Sequence, residues 1–79
     1  MKAKIRLNGI NDVKDYISKA MRVDGDITIS HGKYVINGKS LMGIFSLDLE
    51  EELNIEFNNL SNTDVDIITS MNVYPCTNN

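Results

Sequence analysis

One cysteine, one proline and no tryptophan occur in the 79 residues, and no basic residue follows Lys39. The lone Cys76 cannot close an internal disulfide, which agrees with a reducing compartment, and its polar surroundings after Pro75 argue against a catalytic thiol. No apolar run approaches the roughly 20 residues that cross a bilayer, so no membrane is expected as a partner. Met1-Lys2-Ala3-Lys4 opens a strand-like alternation instead of a secretory signal, and the expected location is cytoplasmic. Clusters of Lys and Arg able to neutralise phosphates are missing as well. With a net charge of −3 and a pI of about 4.9, the chain is a poor match to nucleic acid.

What is present suits a globular chain. A hydrophobic fraction of 42% with a charged fraction of 24% is that of a globular chain, not of a disordered one. The length allows one domain near the lower limit for a core without staples, expected over 1–74 with a short tail at 75–79. Charge is divided unevenly. Eight basic and four acidic residues leave positions 1–40 at +4, while the seven later acids set the remainder at −7. Such a division can orient an approaching partner, and it equally describes solvated surface.

In chain order, Ala3, Ile5 and Leu7 alternate with Lys2, Lys4 and Arg6, a strand with one buried face. Asn8-Gly9 breaks it, and Asn11 is the expected cap of a helix whose apolar stripe is Val13, Tyr16, Ile17, Ala20 and Met21. Asp12 and Asp15 near its start and Lys19 and Arg22 near its end complement the macrodipole. Ile27 and Ile29 predict a second strand. A turn at His31-Gly32-Lys33 returns it through Tyr34–Ile36 as a hairpin. A short helix follows Ser40. Leu53, Ile55 and Phe57 alternate with Asn54, Glu56 and Asn58 as a fourth strand, and Ser61-Asn62-Thr63-Asp64 offers caps for a third helix carrying Val65, Ile67, Ile68 and Met71. The order βαββαβα predicts an α+β fold, a four-stranded antiparallel sheet covered on one face by three helices. RNA-binding domains share much of that order, but these strands lack an aromatic stacking platform with basic neighbours.

The stretch from Val35 to Leu47 concentrates the candidate chemistry. Ser40 stands where a helix N-cap belongs, and its hydroxyl suits a free N–H of the first turn. A phosphate there would meet the positive end of the helix with Lys39 adjacent. Leu41, Met42, Ile44, Phe45 and Leu47 are too many apolar residues for one side of a helix barely two turns long. Either the helix is buried all round or some of these residues face outward.

The run Asn37-Gly38-Lys39-Ser40-Leu41-Met42-Gly43-Ile44-Phe45-Ser46-Leu47 resembles the regulatory-serine segment of HPr, the histidine-containing phosphocarrier of the bacterial sugar phosphotransferase system. The resemblance covers most of the chain, strongly from Asp24 to Leu47 and faintly at each end. It implies an HPr-like open-faced sandwich, regulatory phosphorylation at Ser40, and a partner-docking patch at Leu41, Met42 and Phe45 beside Lys39. It also exposes a departure. The family carries His-Ala-Arg-Pro after Gly-Ile or Gly-Leu, whereas this chain reads Gly9-Ile10-Asn11-Asp12-Val13-Lys14. Anchored on Gly9-Ile10, Asn11 takes the histidine's place. An amide nitrogen has its lone pair delocalised and is no nucleophile at neutral pH, and Asp12 would repel a phosphoryl group.

His31, the only histidine, is expected as an exposed turn residue with no base partner and no second metal ligand. Asp48, Glu50, Glu51 and Glu52 lack the ordered spacing and glycine of a calcium loop and read as a solvated turn. No cofactor or metal is expected. The sequence thus predicts a catalytically silent HPr-like monomer, not an enzyme, that binds protein partners such as an HPr kinase or phosphotransferase-system proteins. The competing reading is an active phosphocarrier with a non-standard acceptor.

Overall fold

A computed structural model describes residues 1–47, 51–71 and 73–75. The strands are β1 (Lys2–Ile5), β2 (Asp26–His31), β3 (Tyr34–Asn37), β4 (Leu53–Asn58) and β5 (Val73–Pro75), and the helices are α1 (Ile10–Ala20), α2 (Leu41–Phe45) and α3 (Asn62–Thr69). The sheet is antiparallel in the order β3-β2-β4-β1-β5. Five strands replace the four expected. Val73 pairs with Ile5 and Tyr74 with Lys4, so β5 adds to β1 at an edge. Pro75, read as tail in the sequence, closes that strand, since an edge position tolerates the missing N–H.

The period-two pattern places Ala3, Ile5, Ile27, Ile29, Leu53, Ile55 and Phe57 on one face, where all are buried. Val13, Tyr16 and Ala20 of α1, Ile44 of α2 and Ile67 and Ile68 of α3 complete the same core. All three helices therefore lie on one side of the sheet. Lys2, Lys4, Thr28, Ser30, Asn54 and Glu56 occupy the other side, half-buried or exposed.

Several boundaries differ from the sequence expectation. Gly9, not Asn11, caps α1: its φ of 91° belongs to the region that favours glycine. The Asp12 carboxylate reaches back to accept the Asn8 N–H at 2.9 Å, which sets the start at Ile10 and leaves Asn11 exposed in the first turn. Met21 falls at the end of α1 and is exposed, as is Val65 on α3. His31 is the last residue of β2, paired with Tyr34, so the hairpin turn is Gly32-Lys33 alone.

Candidate functional site

The Gly38-Lys39-Ser40 approach to α2 is fixed from beneath. The Gly38 N–H donates to the Ile27 carbonyl at 2.7 Å, and the Tyr16 hydroxyl donates to the Gly38 carbonyl at 2.6 Å. A side chain at position 38 would collide with Ile27, its Cβ falling 2.8 Å from Ile27 Cβ and 3.0 Å from the Tyr16 oxygen. Glycine is therefore required by close approach. Burial pushes the Tyr16 phenol above its ordinary range, because a phenolate would lose its water without gaining a counter-charge.

Ser40 is the N-cap that its sequence position suggests. In extended conformation, its Oγ accepts the Gly43 N–H at 3.1 Å. Its carbonyl accepts the Ile44 N–H at 3.1 Å and its own N–H donates to Asn37 O at 3.0 Å. The side chain is half-buried. Lys39 is committed elsewhere: its Nζ donates to the Val23 carbonyl at 2.6 Å, and its N–H donates to Asn37 Oδ1 at 2.9 Å. The sequence places this ammonium next to Ser40; the fold spends it on the end of α1.

On α2, Ile44 is fully buried, while Leu41, Met42 and Phe45 are 40%, 81% and 42% exposed. The question left open by the composition is thereby answered: the short helix is not buried all round. At 100° per residue, Leu41, Phe45 and Met42 share one arc, opposite Gly43 and Ile44. The Gly9-Ile10-Asn11-Asp12 turn also presents an apolar side chain, with Ile10 59% exposed. Its carboxylate at Asp12 is engaged in its own turn. The bond from α1 to the α2 approach starts at Tyr16.

His31 is not the exposed, partnerless turn residue expected. It is half-buried, and its Nε2 meets the Glu51 carboxylate. Glu51 and Glu52 are exposed ahead of β4, and Glu52 pairs with Lys4 at 3.7 Å; Asp48 and Glu50 lie outside the described residues. Among the described residues no group of three or more His, Cys, Asp or Glu side chains could hold a metal ion. No helix among them is long and apolar enough to cross a membrane.

Asp64 is a residue whose role the sequence reading missed. It forms a capping box with Ser61, and its carboxylate also accepts the N–H groups of Asp24 and Gly25, both at 2.9 Å. The Asp24 N–H, foremost among these donors, holds the carboxyl below its ordinary range, with further help from Ser61 and Gly25. The spacing Ser61-x-x-Asp64 signals the box; nothing local signals the 24–25 turn, which is brought there by the fold. Compared with known proteins, the chain matches no family model, no curated protein and no solved structure.

Proposed function

We propose that this chain is a protein-binding module of HPr-like character, catalytically silent, that meets its partner through Leu41, Met42 and Phe45 and is switched by phosphorylation of Ser40. The observation that carries the reading is the outward apolar arc of α2 on a support fixed by Gly38, Tyr16 and Ile44. A rigid base lets three apolar side chains stay exposed without the helix turning to bury them. Support also comes from the run Asn37–Leu47 and from the absence of an imidazole in Gly9-Ile10-Asn11-Asp12. Phosphate on Ser40 would place about two negative charges at the root of the apolar arc and change the acceptor that caps Gly43.

Incubation with ATP and an HPr kinase tests the switch, read by intact mass and peptide mapping. One phosphate on Ser40, absent in Ser40→Ala, is the expected result; folded protein that takes up none removes the switch. A second reading, a phosphocarrier with a non-standard acceptor, is favoured by His31, whose ring is oriented by Glu51. Phosphoenolpyruvate with the first enzyme of the phosphotransferase system separates the two. Acid-labile label on His31 would establish the carrier, and an unlabelled, folded sample would eliminate it.

A further inference from the structure

The three most exposed large apolar side chains among the described residues, Met42 at 81% and Tyr34 and Val35 both at 69%, belong to α2 and β3. β3 is an outer strand of the sheet, and α2 rests on it, with Ile36 bounding the space beside Gly43. Met42 flanks Gly43 on the helix and so leans toward this border. Tyr34-Val35-Ile36-Asn37 contains no charge, no proline and no bulge, the devices that keep edge strands from pairing. The opposite border, β5, ends in Pro75.

The phase of the hydrogen bonding is fixed by the Gly38 N–H on the Ile27 carbonyl. Alternation along the ladder then turns the backbone groups of Ile36 and Tyr34 toward β2 and those of Val35 and Asn37 outward. We propose that a second copy of this chain docks on this border, β3 pairing antiparallel with β3 about a two-fold axis at Val35. In that register Val35 exchanges two backbone bonds with the partner's Val35, and Tyr34 lies across from the partner's Ile36 on the helix-covered face. Lys33 faces the partner's Asn37. Moving the axis to position 36 would set Lys33 against the partner's Lys39, a like-charge pair that sheets avoid. Both α2 helices fall on the same side of the joined sheet, so the two Met42 side chains approach across the axis.

From their exposures, Tyr34, Val35 and Met42 offer on the order of 450 Å² per copy, about 900 Å² for two, the size of a weak, reversible interface. Charge also favours a copy as occupant: from Tyr34 to Leu47 the only charged residue is Lys39, and its ammonium is bonded to Val23. The proposal does not depend on Ser40 being phosphorylated.

Sedimentation velocity on the full chain from micromolar to millimolar concentration should show a reversible monomer–dimer equilibrium. Val35→Lys, on the face away from α2, should weaken it by at least roughly tenfold through like charges opposed at the axis while leaving the thermal midpoint unchanged. For register, Val35→Cys in a Cys76→Ser background should cross-link with oxidised glutathione, since paired Cα atoms at ~5.5 Å suit a disulfide. Lys33→Cys in the same background should not. A wild-type chain that stays monomeric at millimolar concentration, a dimer untouched by Val35→Lys, or equal cross-linking of both cysteine variants overturns the assignment.

Discussion

Removing one oxygen from Tyr16 tests how α2 is held. Tyr16→Phe keeps the ring in the core but deletes the donor to the Gly38 carbonyl, a buried bond of 2.6 Å. A net hydrogen bond contributes about 1 kcal/mol, and leaving the carbonyl without it in a buried setting raises the cost to about 1–3 kcal/mol. For a chain of this size the thermal midpoint should fall by about 4–8 °C per kcal/mol. Urea unfolding followed by far-UV circular dichroism gives the free energy, and amide exchange shows where it is lost. Protection should drop at Gly38 and through Leu41–Phe45 more than at the centre of β4.

The same substitution has a pH signature. Burial raises the Tyr16 pKa in the folded chain, so below pH ~10, the ordinary value for a free phenol, the group is protonated in both states and adds no pH dependence. Above it the unfolded chain releases a proton that the folded chain retains. Stability should then decline with a contribution of up to ~1.4 kcal/mol per pH unit, and Tyr16→Phe should abolish that contribution. The difference in phenolate absorbance between the two proteins reports Tyr16 alone. A variant that loses less than about 0.5 kcal/mol and keeps the wild-type alkaline slope would refute the anchoring role.

Asp64→Asn should be less stable at neutral pH and show a flatter acid limb. The carboxyl's pKa is lowered in the fold, so its contribution is present above the ordinary carboxylate value and disappears as pH falls below about 4; thermal midpoints across the acid range check this, and parallel curves for the two proteins would contradict it. On α2, Ile44→Ala should cost about 2–5 kcal/mol because the side chain is fully buried. Met42→Ser, at 81% exposure, should change stability by less than about 0.5 kcal/mol and act on partner binding instead; comparable losses for the two would mean that α2 does not present Met42 outward.

Some features of this fold are written locally. Ala3 and Ile5, Ile27 and Ile29, and Leu53, Ile55 and Phe57 recur every second residue, and Val13, Tyr16 and Ala20 recur at helical spacing; all are buried. Ser40 and Ser61 cap helices through donors three residues away, within reach of a short window of sequence. The start of α1 was partly legible too. Gly9 followed by Asp12 carries the turn and the reach-back to Asn8, a signal that competes with Asn11 and outweighs it because only glycine adopts that φ easily.

Other features depend on distance in the chain. β5 needs β1 beside it before Val73-Tyr74 can count as a strand, and its three residues are too few to show a period. Asp64 looks like an exposed cap until Asp24 and Gly25 are delivered to it across about forty residues, and His31 finds Glu51 twenty residues on. The sequence by itself determined the alternating strands, the α1 stripe and the serine caps, because those depend on side-chain period and on bonds within a single turn. Only the tertiary structure decided the fifth strand, the Asp64 clamp, the His31–Glu51 pair and which apolar residues of α2 face outward. Each of these is set by which surfaces the folded sheet brings together, and no local window of residues contains that information.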